Sequence, residues 1–213
     1  MSRQLALRLS PVVAFYQVDV AEVVELLIRW RHPLHLPDGE HPRGRPYTRP
    51  FGSLGFVMED RGRVAAAVIL ASTPNTSVCK GLGLHRYNTV DLARIVRSPD
   101  RRDEQCLRAV LRIARLYLVP LWLGTYAGWD TRSAELCGQP QIEALSSTSL
   151  PGTPGNLYRF DGWTKLRTSK GPMGGGRQKP SAANAIADGA RGLWIHRYPE
   201  PLTTTTKEIA HVG

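Results

Sequence analysis

Cysteine is scarce in this chain: Cys79, Cys106 and Cys137 are the three in 213 residues, and they are widely spaced. That excludes a disulfide-built scaffold and supplies no paired zinc-ligand spacing; it fits a reducing compartment. Long apolar runs are missing as well. The opening MSRQLALRLSPVV has no apolar stretch long enough for a signal peptide, and nothing later reaches the roughly 18 apolar residues of a membrane span. A cytoplasmic protein with no membrane partner is expected. Acidic residues are the third shortage, 18 against 28 Lys and Arg, for a net charge of +10 and a pI near 10.0. A basic excess of this size fits a phosphate-bearing partner, nucleic acid or less specifically CoA. No internal repeat is visible, and the length suits one domain with chain to spare for tails.

Read in order, Leu5 to Leu9 alternates apolar and polar side chains, the pattern of a short strand. Asp19 is placed to cap a helix in which Val20, Val23, Val24, Leu27 and Ile28 share one face. After Trp30 the periodicity ends in RHPLHLPDGEHPRGRPYTRPFG, which carries five prolines, His32, His35 and His41, and four arginines. A stretch this long without periodicity is a functional loop or a disordered one. SLGFVMED and RVAAAVILAS then read as a hairpin turning at Arg61-Gly62, and the small apolar side chains of the second strand suit the middle of a sheet.

The segment from Val90 to Lys170 organises the rest. VDLARIVRSPDRR is a strand ending in a proline and charges, EQCLRAVLRIARLY is an amphipathic helix, and PLWLGTYAG reads as a second strand. Residues 128–155, rich in Gly, Ser, Thr and Pro, read as a loop with a short helix at Thr131–Leu136. GNLYRFDGWTKLRTSKG follows as a helix stub that turns at Gly162 into a strand. The main domain is expected to be 1–171. Residues 172–213 form a Gly/Pro-rich extension, flexible from Pro172, with a late strand or docking segment near 192–200.

Two chemistries have weak support in the residues. His32, His35 and His41 with Asp38 and Glu40 are metal-ligand types, but the intervening prolines prevent the helix that fixes an i, i+3 pair, so no metal site is assigned. Ser98 lacks a nucleophile-elbow glycine pattern, and Cys106 falls on a core-facing helix position.

The order strand, Arg-bearing turn, helix, strand, then LYRFDGW resembles the acyl-CoA half of the GNAT superfamily of N-acyltransferases. The resemblance implies an α/β fold with a mixed, mostly antiparallel central sheet flanked by helices, and acetyl-CoA or another acyl-CoA as donor. Such a core holds the donor's pantetheine arm along splayed parallel strands and its pyrophosphate at a helix N-terminus. By that analogy Arg94, Val96, Arg101 and Arg102 contact the cofactor. At the closely spaced glycine places of the family's turn, this chain has Asp103, Gln105 and Leu107; Asp103 and Glu104 favour helix initiation and repel a pyrophosphate. Tyr158 of LYRFDGW matches the tyrosine that protonates the leaving thiolate; a Tyr packed beneath the sheet is the plain alternative. Glu25, His32 and Asp91 are the candidate bases.

The altered phosphate turn, the basic composition, the histidine loop and the YRFDGW ending together are similar to the Mom-like branch of GNAT proteins, from phages and mobile elements, which modify adenine in DNA. That resemblance spans roughly residues 20 to 170. It implies DNA as partner, with Arg31, Arg43, Arg45 and Arg49 neutralising phosphates and Tyr47 or Trp30 stacking a base. The expected activity is acyl transfer to a nitrogen on a nucleic-acid base or a small amine. The alternative is a non-catalytic nucleic-acid-binding protein whose cofactor site has decayed.

Overall fold

A computed structural model describes residues 4–10 (as backbone), 13–32, 52–73, 79, 82–101, 104–123, 125, 135, 141–150, 152–169 and 191–203. Its elements in chain order are β1 (Gln4–Ser10), β2 (Val13–Val18), α1 (Val20–Arg29), β3 (Ser53–Asp60), β4 (Arg63–Ser72) and β5 (Thr89–Arg97). Then come α2 (Glu104–Ile113), a π-helical stretch (Ala114–Leu118), α3 (Val119–Trp122), β6 (Gln141–Thr148), α4 (Asn156–Arg159), β7 (Thr164–Ser169) and β8 (Arg191–Thr203). The strands form one sheet in the order β1-β2-β3-β4-β5-β6-β8-β7. Every neighbouring pair is antiparallel except β5 and β6. This is the α/β class expected from sequence, with a mixed, mostly antiparallel sheet.

β4 sits between the helix layers because its side chains are small and apolar on both faces. Ala66, Val68 and Leu70 pack towards Val110, Leu111 and Leu118, whereas Ala67, Ile69 and Ala71 pack towards Val23, Val24 and Leu27 of α1. Alternate residues of a strand face opposite ways, so α1 and α2 cover opposite faces of the sheet. The hairpin into β4 turns where expected: Arg61 and Gly62 have φ of 53° and 72°, the left-handed pair of a two-residue turn that follows the strands' twist.

Several expectations change. Asp19 makes no side-chain capping bond; its carbonyl accepts from Glu22 N (3.0 Å) instead. Val13–Val18, for which no element is expected from local pattern, forms the full strand β2. PLWLGTYAG begins as helix rather than strand. Leu118, Val119, Trp122 and Leu123 are all fully buried, a helical spacing that a short apolar run shares with a strand. Pro120 has no N–H for the carbonyl four residues back, and the ladder widens to π geometry in the turn before it. The carbonyl of Arg115 in that turn accepts from Tyr198 Oη (2.8 Å).

The parallel partner of β5 is therefore β6, inside the 128–155 stretch read as a loop. Its polar Ser146, Ser147 and Thr148 hid it. Ser146 and Ser147 are buried yet satisfied, Ser146 by the Asp91 carboxylate (3.0 Å) and Ser147 by the Leu92 carbonyl (2.9 Å). Residues 191–203, expected as a late strand or docking segment, form β8, an interior strand between β6 and β7. The extension thus supplies part of the sheet. Thr131–Leu136 and the tail from Pro172 to 190 lie outside the described residues, apart from Glu135.

The LYRFDGW turn is held by a buried carboxylate. Asp161 accepts from Arg115 Nε and Nη2 (3.2 and 3.3 Å) and from Trp163 Nε1 (3.1 Å). A buried carboxylate is tolerated only when paired and hydrogen-bonded in this way. Behind the turn, Gly155 has φ 71°, and a Cβ there would lie 2.3 Å from Cζ2 of Trp194. Gly155→Ala is expected to lower stability by roughly 2 kcal/mol or more, from left-handed strain and overpacking together. A lower urea midpoint at unchanged m-value would register it.

Candidate functional site

β5 and β6 pair over four residues only, Thr89–Leu92 against Ala144–Ser147. Beyond Leu92 the strands part. Ala93 is an extra residue on β5, since Leu92 faces Leu70 of β4 and Arg94 faces Ile69. Such a bulge sharpens local twist, and here it coincides with the parting. Residues 94–97 stay paired to β4 and, among the described residues, have no strand partner on the β6 side. Their main-chain groups on that side border the fork.

A cavity of about 420 Å³ occupies the fork, within the usual range of roughly 300–1,000 Å³ for small-ligand sites. Leu92, Ile95, Leu107 and Leu157 give it apolar walls. Arg97 and Arg108 line it from the end of β5 and from α2, and His32, which follows α1, lines it too. Because α1 and α2 cover opposite faces, the cavity draws its lining from both sides of the sheet.

At the apex lies a hydroxyl pair. Tyr158 is buried, and its Oη is 2.9 Å from Ser147 Oγ. Rings brace it: Trp194 stacks at 5.6 Å and Trp163 meets it edge-on at 5.4 Å. Burial pushes the Tyr158 phenol up to about 12; the Ser147 hydrogen bond opposes that rise and the charge of Asp91 adds to it. At neutral pH the phenol therefore stays protonated. Asp91 is buried on β5 and accepts from Ser146 Oγ.

Of the residues singled out from sequence, Tyr158 and His32 line the cavity, and Asp91 lies on β5 one residue before Leu92. Glu25 is exposed on α1 and faces a separate cavity with Arg29, Trp30 and Arg63. Arg94 turns its guanidinium onto the Ala93 carbonyl (2.6 Å). The Val96 side chain packs on the α1 side of the sheet, so any contact it makes in the fork is through its main chain. Arg101 is ion-paired with Asp60 at the β3–β4 hairpin. Arg31 is exposed just after α1, with φ 53°. Arg102, Arg43, Arg45, Arg49 and Tyr47 lie outside the described residues, as do His35, Asp38, Glu40 and His41. Among the described residues no His, Cys, Asp and Glu cluster has metal-site geometry, and no helix is long and apolar enough to cross a membrane.

Sequence reasoning missed Arg97, Arg108, Ser147 and Phe160. Arg108 read as one more cation on a solvated helix face. Ser147 carried no signal, since its segment read as loop. Phe160 is the most exposed large hydrophobic residue described, at 61%, and its ring lies 6.0 Å from the Arg108 guanidinium at the cavity. An exposed aromatic beside the candidate tyrosine was the one visible clue.

The raised Tyr158 pKa gives a stability prediction. In the unfolded chain the phenol ionises near pH 10. The folded state resists ionisation to about 12, so this contribution is intact below pH 10 and is lost as pH rises from 10 through 12. Tyr198 is also pushed upward by burial and acts in the same direction. The urea midpoint should therefore fall across pH 10–12, and Tyr158→Phe should make the fall shallower without removing it.

Neither a protein-family model nor a curated protein sequence matches the chain. Solved structures do. One is RimL, a ribosomal L7/L12 α-N-protein acetyltransferase in complex with coenzyme A, with TM-score 0.51, 8% identity, and coverage of 91% of this chain and 98% of that one. Another is an agmatine N-acetyltransferase with TM-score 0.50, 12% identity, and coverage of 87% of this chain and all of that one. At such identities the likeness is one of backbone: this chain has the fold of these acetyltransferases, the mixed α/β fold expected from sequence.

Proposed function

We propose that this protein is an N-acyltransferase that takes an acyl group from acetyl-CoA or another acyl-CoA and delivers it to a nitrogen. The observation that carries this reading is the fork: a parallel pair that stops at Leu92 and Ser147, with a cavity in the gap and a protonated tyrosine at its apex. The apolar walls suit a pantetheine arm, and the β5 edge that borders the fork offers main-chain N–H groups to its amides and to the thioester carbonyl. Arg97 and Arg108 are the guanidinium groups at the cavity available to phosphates. When bound, the donor supplies an activated thioester; the protein's part is to orient it, polarise its carbonyl and give the leaving sulfur a proton from Tyr158. His32, which lines the cavity, is the first candidate to take a proton from the acceptor, and Asp91, one residue before Leu92 on β5, is the second.

For the acceptor, the net charge of +10 and exposed Arg31 favour a nucleic-acid base, in the manner of the Mom-like branch, over a small amine. The second reading, a nucleic-acid-binding protein with a decayed cofactor site, draws on Leu107. At a place where the family has glycine, its side chain lines the cavity.

Calorimetry separates the two. Acetyl-CoA is expected to bind, and Arg97→Ala or Arg108→Ala to weaken it roughly tenfold, as for loss of one charge-assisted contact. No heat from folded protein would favour the decayed-site reading. Tyr158→Phe should cut kcat about 10²-fold at near-normal donor affinity, the usual weight of a general acid. For the acceptor, expression in a host without DNA modification followed by nucleoside mass analysis should reveal a new adenine-derived mass, absent with Tyr158→Phe. Unmodified nucleosides alongside acetylated small amines would move the assignment to a small-amine acceptor.

A further inference from the structure

Hydroxyl protons can be counted at the fork. Ser147 belongs to the last pair of the β5–β6 ladder, opposite Leu92, and is almost wholly buried while lining the cavity. Its hydroxyl donates to the Leu92 carbonyl at 2.9 Å and lies 2.9 Å from Tyr158 Oη. A serine hydroxyl has one proton to donate. With that proton on Leu92 O, the Tyr158–Ser147 bond must be Tyr158 donating and Ser147 accepting. In the resting site the acidic proton is therefore held by Ser147, not aimed into the cavity.

We propose that Ser147 is a positioning residue for Tyr158, a hydroxyl switch that parks the phenolic proton at rest and turns to donate to the phenolate once that proton has left. This rests on the acyl-transfer reading above. In the working step the acceptor nitrogen bonds to the acyl carbon, the C–S bond breaks with its electron pair on sulfur, and Tyr158 Oη turns from Ser147 and gives that sulfur its proton. The Ser147 O–H then rotates from Leu92 O to the new negative charge on Tyr158 Oη. Ser147 stays neutral and keeps its proton throughout. Tyr158 regains a proton from solvent, which balances the one shed by the attacking nitrogen. Leu92 O, at the fork, gives up one hydrogen bond while Oη gains a charge-assisted one, which is the stronger.

Ser147→Ala removes the switch, and Ser147→Thr keeps a hydroxyl. The test measures initial rates with acetyl-CoA and with S-acetyl 4-nitrothiophenol, whose thiolate leaves without protonation. The acceptor pool contains a short single-stranded DNA and putrescine. With acetyl-CoA, Ser147→Ala is expected to lower kcat 10- to 100-fold with KM for the donor within about twofold, and Ser147→Thr to recover most of it. With the activated donor the loss should shrink to a few-fold. The Ser147→Ala/Tyr158→Phe double variant should be no slower than Tyr158→Phe alone, because both act on one proton. An equal loss on both donors, or additive losses in the double variant, would show a merely structural serine and overturn the inference. So would full activity of Ser147→Ala on acetyl-CoA. Wild-type protein inert toward both donors would overturn the acyl-transfer reading and this switch with it.

Discussion

The candidate site depends on a pairing that stops. β5 and β6 hold together over four residues and then diverge at the Ala93 bulge, and the fork cavity lies in the gap. A parallel ladder continued to Arg97 would bury the main-chain edge that now borders the fork. It would also leave no space between α2 and the end of β6. The ladder ends in an ordered way because the Ser147 side chain takes the Leu92 carbonyl at the point of divergence, so the last buried acceptor is not stranded.

Two anchors keep the fork in register with Tyr158. Asn88 ties the closed end, bonding the Glu143 carboxylate (2.6 Å) through its side chain and Glu143 N (2.8 Å) through its carbonyl. Asp161 fixes the other side by joining the π-helical turn after α2 to the turn after α4. The Trp194 ring, on β8, backs the tyrosine and lies against Gly155. A segment nearly forty residues beyond Tyr158 in sequence thus supplies the wall behind it. The tyrosine's high pKa follows from that enclosure, since a phenol closed off from water resists becoming an anion.

Arg101, the basic residue at the turn, is engaged by Asp60, and Arg97 donates to the Arg101 carbonyl (2.7 Å). These two contacts tie Arg101 to the β3–β4 hairpin and to the end of β5. Among the described residues, Arg97 and Arg108 are the arginines that line the cavity.

Local pattern is enough for the elements with strong periodicity: α1, the β3–β4 hairpin with its Arg61-Gly62 turn, β5, the start of α2 and the α4 turn into β7. Hydrophobic spacing and turn chemistry are local, and these segments carry both. Their order carried the resemblance that implied the sheet class and singled out Tyr158, which the structure shows lining the cavity. The remaining features are set by long-range packing. β6 is polar because its serines bond to β5, so no local pattern announces it, and β8 gains its place only by pairing between β6 and β7. The helix through Pro120 follows from burial against the sheet, not from propensity. Which arginines face the cavity is set by where β5 leaves β6, a relation between two strands some fifty residues apart, and periodicity along one segment does not encode it.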